Sequence, residues 1–389
     1  MSLSLVRTRF SAIAAKIETT PGTDSIAGSP VAGDFILGSA QARFGPNVVT
    51  DPSFSGALDG LPGIVGSLSP TIDLMVPMRG SGTAGTAPSW GRLMRACTFE
   101  EVTDAVGVVA TAATAGTTNS ATFPVAFSSV ANIYRGIPGI LTGNPAAGAV
   151  SPITGWTTGR VASFGETFGT ALSTTTLMQI PPNVLYRPTS DESVYKTVTL
   201  YLYSDGLLWI FTGCVGSVKL DLEAGGIGML AFSLRGQFVS VTTVALPAAL
   251  NASTATTPPR WVGGRANLLG NTAKLKNLSV DAGVGTVLPD NPEAQDGFDP
   301  AVPITRGVMA TLNPSMDTTG QVALFNNFRN GTGGALFAVV PGNAGNRFSV
   351  TMPAVRLLAA DPGDRGGLRT NEIRAEANIT DASFFLCQY

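Results

Sequence analysis

Acid–base and nucleophilic catalysis need side chains that titrate or attack, and this 389-residue sequence contains no histidine. That removes Ser-His-Asp and Cys-His arrangements and every histidine-ligated metal site. Paired carboxylates are the remaining option. The densest acidic stretch, PDNPEAQDGFDP, supplies Asp290, Glu293, Asp296 and Asp299. Its spacing does not follow the D-x-[DN]-x-[DN]-G rule of a calcium loop, so it reads as an acidic surface loop. GSGTAG at 80–85 matches G-x-G-x-x-G letter for letter. A dinucleotide site would also need βαβ alternation and an acid at the end of the next strand, and neither is present. Those glycines read instead as the release of the chain from a strand into a helix opened by Pro88. Cys97, Cys214 and Cys387 are widely spaced, odd in number and in no metal-like pattern. They read as buried or partly buried free thiols of a chain made in a reducing cytoplasm. No catalytic, cofactor-binding or metal-ligating residue is assigned, and the chain is not read as an enzyme. The sequons at Asn251, Asn277, Asn330 and Asn378 carry no meaning without secretion.

The elements that would position any functional group are mostly strands. Charged residues make up 13% against about 25% in an average soluble protein, which suggests a surface covered by copies of the chain or by partners. Lys and Arg number 24 and Asp and Glu 26, a net charge of −2. No basic stripe for gripping nucleic acid is visible. No apolar run approaches the roughly 18 residues of a membrane span. At the start, Phe10, Ile13, Ala14 and Ile17 have helical spacing and read as a short amphipathic docking segment, with a transit peptide as the alternative.

Short runs alternate apolar and polar, with glycine or proline between them. In TVTLYLYSDGLLWIFTG (197–213), Asp205-Gly206 marks a hairpin turn. In KLDLEAGGIGMLAFSLRGQF (219–238), Leu220, Leu222, Leu230, Phe232 and Leu234 share the apolar face. Lys219, Asp221, Glu223, Ser233 and Arg235 share the polar one, as half-buried antiparallel strands require. Residues 197–240 therefore read as a meander. APSWGRLMRACTF reads as a helix with Trp90, Leu93, Met94 and Cys97 on its core face. Asp361-Pro362-Gly363 reads as a turn before an alternating strand at 372–379. TAATAGTTNSATF (111–123) reads as a mobile loop or an exposed hairpin. The expected division is a β domain at 1–246 with inserted loops at about 105–190, a linker at 247–262, and a second β domain at 263–389. Two echoes suggest related halves: PGIVGSLSPTIDLMVP (62–77) with PITRGVMATLNPSM (303–316), and KLDLEAG at Lys219 with KNLSVDAG at Lys276.

KIETTPGTD, MRGSGTAGTAPSWGRLMRAC, GCVGSVKLDLEAGGIGMLAFSLRGQF and the weaker GDRGGLRTNEIRAEA together resemble the tail tube (major tail) proteins of long, non-contractile-tailed bacteriophages. The resemblance implies a mainly β fold, antiparallel sandwich or barrel tube domains with one or two short flanking helices. The length implies a duplicated tube domain or an added outer domain. It implies a structural subunit of the virion tail, made in the host cytoplasm. Rings of three pseudo-hexameric or six copies would stack into a conduit for DNA ejection. Implied partners are the chain itself and tape-measure, tail-tip and tail-terminator proteins, with DNA passing unbound. On this reading Lys219, Asp221, Glu223, Ser233 and Arg235 face the lumen or a neighbouring ring. The alternatives are a β-sandwich carbohydrate-binding or adhesin module using Trp156 and Trp209, and a carboxylate-pair hydrolase.

Overall fold

Backbone pairing begins with the first described residues and organises the whole chain. The computed structural model describes residues 10–54, 56, 58–247, 256–377 and 379–389. Its first element, β1 (Ser11–Ile17), pairs along its full length with the strand at 198–204, so the helical docking segment is not formed. Ile13, Ala14 and Ala15 are all buried. A strand covered on both faces loses its alternation, and the spacing at Phe10, Ile13, Ala14 and Ile17 then mimics a helix. Next come β2 (Phe35–Ile36), β3 (Ser39–Arg43), the hairpin of β4 (Pro46–Val49) and β5 (Ile64–Leu68), and β6 (Thr71–Pro77). Gly82 and Gly85 turn the chain at positive φ into the short helix α1 (Gly91–Arg95). Trp90, Leu93, Met94 and Cys97 are buried as expected, and Trp90 Nε1 donates to the Arg79 carbonyl at 2.7 Å.

The stretch expected as inserted loops is folded. After β7 (Phe99–Asp104) come β8 (Val108–Ala112), β9 (Ala115–Gly116), β10 (Ser120–Thr122), β11 (Pro138–Thr142), β12 (Val150–Trp156), β13 (Val161–Phe164) and β14 (Leu177–Ile180). These last seven form their own sheet in the order β8-β14-β11-β12-β13-β10-β9. Phe123, Phe127, Tyr134 and Trp156 are at its core. Strands this short, with Ser, Thr and Gly between them, give little periodic signal. The chain leaves by β15 (Asn183–Pro188), which pairs back with β7.

The meander follows as read: β16 (Val198–Ser204), β17 (Leu207–Glu223) and β18 (Met229–Thr243) are consecutive antiparallel neighbours. Asp205 and Gly206, both at positive φ, make the two-residue turn. The remaining elements are β19 (Arg265–Leu268), β20 (Asn271–Thr272), β21 (Lys274–Asp281), the hairpin of β22 (Val284–Val287) and β23 (Val302–Arg306), β24 (Met309–Ser315), α2 (Thr318–Asn330), β25 (Gly334–Val340), β26 (Phe348–Arg365), β27 (Leu368–Ala377) and β28 (Phe385–Gln388). Asp317 caps α2 by accepting from Gly320 N at 2.7 Å, and Gly331 ends it in the left-handed region.

The two halves repeat one topology. β3-β6-β18-β17 are neighbours in that order, and so are β21-β24-β27-β26. Each half carries a projecting hairpin between its first two strands and a helix before its long hairpin. β1 and β2 flank β16 and β17 as β19 and β20 flank β25 and β26. Even an irregularity recurs. The register jumps between Val198↔Cys214 and Leu200↔Phe211 in one half, and between Gly334↔Val355 and Leu336↔Met352 in the other. Such bulges let a long strand bend from one layer of a sandwich into the other. Gly45 and Gly283 take positive φ at matching places, and their carbonyls accept from Ser69 N and Gly307 N. The first sequence echo falls on matching strands, β5–β6 and β23–β24. The second does not: the residues around Lys219 and Lys276 lie on β17 and β21, which are antiparallel partners.

The fold is thus mainly β, with antiparallel sheets curved into a half-barrel and, among the described residues, two α-helices. β17 pairs with β21, and β15 with β28, so strands on either side of the 247–262 linker share one sheet and one core. Residues 248–255 of that linker, and Asn251 and Asn378, lie outside the described residues. Trp261 anchors the linker's end, donating N–H to the Gly226 carbonyl at 2.9 Å. The expected turn at Asp361-Pro362-Gly363 is instead part of β26. The reversal is at Gly366-Gly367, both at positive φ. All three thiols are buried and free, and burial holds each well above its ordinary pKa.

One buried charge ties the first half together. Glu18 accepts from Gly22 N at 2.8 Å, Thr197 Oγ1 at 2.6 Å, Thr199 Oγ1 at 2.9 Å and Gly213 N at 2.8 Å. Glu18→Ala strands four donors and should cost about 3 kcal/mol, read as a fall in the denaturation midpoint. Glu18→Gln, which keeps two acceptor sites on one oxygen, should lose less.

Candidate assembly interface

The five residues singled out from the sequence fall on one face. Lys219 and Asp221 on β17 pair across with Ala231 and Met229 of β18, and Ser233 pairs with Ser217. Val218, Leu220, Leu222, Leu230, Phe232 and Leu234 point the other way, into the core. Strand alternation does this sorting, because successive side chains leave a pleated strand on opposite faces. Lys219, Glu223, Ser233 and Arg235 are exposed and Asp221 is half-buried. Lys219 Nζ lies 3.5 Å from Asp221 Oδ1, Ser233 Oγ donates to Asp73 at 2.9 Å, and Asp73 meets Arg43 at 3.2 Å.

The same face continues over the second half. Lys219 stands opposite Asp281, and Asp221 opposite Ser279; Arg356 stands opposite Glu376. Acid stands beside or opposite base at Lys219 with Asp221 and Asp281, at Arg43 with Asp73 and at Arg356 with Glu376. Exposed pairs of this kind contribute only about 0–1 kcal/mol each. Their effect is on the field: the face carries no block of one sign.

Sequence reading missed the two ends of this eight-stranded sheet. Among the described residues, β3 pairs only with β6. Residues 356–365 of β26 pair only with β27. Each therefore presents a row of backbone N–H and C=O groups to solvent, a template for another strand. The repeat identifies what these edges match. β3 corresponds to β21 and β26 to β17, and β17 is already paired with β21 inside the chain. By the same correspondence Arg43 takes the place of Asp281, and Asp361 that of Lys219. A β26–β3 pairing copied from β17–β21 would set Asp361 opposite Arg43, again acid opposite base. The signal available in the sequence was the Gly366-Gly367 pair, a two-residue hairpin motif that would have extended the preceding strand through Asp361.

The remaining candidate chemistry has structural work. In the 80–85 loop, Gly80 N donates to Asn346 Oδ1 at 2.8 Å, and a Cβ at Gly80 would strike the Gly345 carbonyl. Gln388 Nε2 donates to Ser81 Oγ at 2.9 Å and to the Gly345 carbonyl at 2.8 Å. Asp296 accepts from Phe238 N at 3.0 Å, and Asp299 from Asn291 Nδ2 at 2.7 Å. Trp156 is 2% exposed with its Nε1 donating to the Ser128 carbonyl at 2.9 Å, so it offers no face for stacking a sugar. Trp209 is packed among Phe44 and Phe238. Among the described residues, no helix is long and apolar enough to cross a membrane.

No protein-family model matches the chain, and no curated protein matches it.

The polar face should tolerate charge reversal. Asp221→Lys with Glu223→Lys should change folding stability by less than about 1 kcal/mol, whereas Leu220→Asp, which buries an unpaired carboxylate, should leave the chain unfolded. Urea denaturation followed by tryptophan fluorescence separates the two outcomes.

Proposed function

We propose that this chain is the structural subunit of a phage tail tube. Three copies, hence six repeats, close their half-barrels edge to edge into a ring, and rings stack into the conduit for DNA ejection. The observation that carries the reading is the pair of open edges whose counterparts are already joined inside the chain. Edges that differ from each other make a heterologous contact, which generates a ring when the rotation closes. Closing the sheet removes both of these edges at once.

The composition supports the same conclusion. A ring-forming surface needs few charges where copies meet. The bore would be lined by Lys219, Asp221, Glu223, Ser233 and Arg235 together with Asp281, Arg356 and Glu376. A lining of mixed sign does not accumulate the phosphate contacts that hold nucleic acid, so DNA passes without being gripped. Tape-measure, tail-tip and tail-terminator proteins are the partners this role implies. The insert at β8–β14 occurs once per chain, and so three times per ring.

Averaged negative-stain images of the purified protein across a concentration series should show rings of threefold symmetry. Six chains per ring would remove the edge-to-edge closure of two repeats per chain. Persistent monomers would remove the ring itself. Arg43→Asp should raise the concentration needed for assembly about threefold to fivefold, as loss of a rim charge pair does. Asp361→Arg in the same chain should restore part of it; no recovery would discard the register given above.

A further inference from the structure

The hairpin arms of the two repeats meet different fates. Residues 288–301, between β22 and β23, fold over the first repeat. The Asp296 carbonyl accepts from Leu68 N at 3.2 Å and its carboxylate from Phe238 N at 3.0 Å. Gln237 Nε2 donates to the Phe298 carbonyl at 2.7 Å. Phe298 packs beside Val215, Leu288 and Ala301. The matching connection, residues 50–63 between β4 and β5, has the same length. Phe54 and Leu58 there are fully exposed and Leu61 is 38% exposed. The arms share a motif: Asp59-Gly60-Leu61-Pro62 in one, Asp296-Gly297-Phe298-Asp299-Pro300 in the other.

The surface that receives the second arm also has a counterpart. Ser67 and Leu68 correspond to Thr305 and Arg306, and Phe238 to Ile379. Thr305, Arg306, Ala377, Ile379 and Asp381 line one cleft of about 570 Å³, rimmed by the Arg306–Asp381 ion pair at 2.6 Å. Among the described residues, none fills it.

We infer that the turn at 58–63 of one copy docks into this cleft on the next copy, repeating between chains the contact that residues 296–301 make within one. The two copies involved are those whose β3 and β26 edges face each other, so the inference rests on the ring reading. Leu61 takes the role of Phe298, covering apolar surface of the cleft beside Ile379.

The test is a disulfide across the contact. In the chain, a Cβ at Gly297 would lie 3.1 Å from the Ser67 Cβ, whereas a Cβ at Gly60 meets nothing. Gly60 matches Gly297 by the shared Asp-Gly motif and Thr305 matches Ser67 by strand register, so Gly60→Cys with Thr305→Cys places two thiols near the usual Cβ–Cβ span of about 3.5–4.5 Å. Under oxidation, rings of the double variant should give covalent dimers and trimers on a non-reducing gel, ending at the trimer, while each single variant gives none. Should the double variant fail to form rings, the two single variants mixed in equal amounts should give the covalent dimer. Rings without covalent products overturn the docking and leave the ring standing. No rings from the unaltered chain at any concentration removes both. Leu61→Asp, at a position already partly in water, should keep the fold by circular dichroism yet raise the assembly concentration about tenfold or more. Assembly at an unchanged concentration overturns the docking.

Discussion

A β-sheet has to dispose of its edges, and this constraint governs the rest of the molecule. Every interior strand satisfies its backbone groups on both sides, but a sheet that does not close must stop somewhere, and each stopping strand leaves donors and acceptors bare. Here the sheet runs through eight strands contributed by two repeats and stops at β3 on one side and at the outer half of β26 on the other. The inner half of β26 is covered. β28 fills the space beside residues 348–351 of β26, the place that the end of β18 takes beside β17. Where the covering stops, the two bare edges match a pair already joined.

Much of this was legible in the sequence where burial is one-sided. The alternation in β17 and β18 separated core from polar face residue by residue, and Asp205-Gly206 gave the turn between β16 and β17. The echo between 62–77 and 303–316 marked matching strands because a projecting hairpin followed by an inner strand imposes the same rhythm twice. Legibility failed where both faces are covered. β1 shows helical spacing because Ile13, Ala14 and Ala15 are all buried, so period two has no polar side to reveal it. The 111–123 stretch, read as a loop or an exposed hairpin, holds the β9–β10 hairpin, whose strands of two or three residues are too short to show a period. Asp361-Pro362-Gly363 has the composition of a turn, but proline is tolerated in a strand at an open edge, and β26 is at such an edge there. The edges themselves could not be read, since which strand lacks a neighbour is a property of the whole sheet.

The polar face shows how charge can be abundant without producing a field. Lys219 has Asp221 beside it and Asp281 across from it; Arg43 has Asp73; Arg356 has Glu376. None of these pairs is buried enough to matter much for stability, and the core beneath does not depend on them. What they prevent is a run of like charge along eight strands.

The joining of β17 to β21 within one chain has a further consequence for how a ring would come together. Six separate repeats would have to lose translational and rotational freedom at each of five encounters before the ring closes, a loss of about 4–15 kcal/mol apiece at standard concentration. Fusion makes every second encounter intramolecular, at an effective concentration set by the connection rather than by how much protein is present. The threshold for nucleating such a ring would then fall, because only three bodies would have to find one another. In such a ring one contact would be permanent and its twin reversible, so that the fused seam would stay shut at dilutions where the open seam separates.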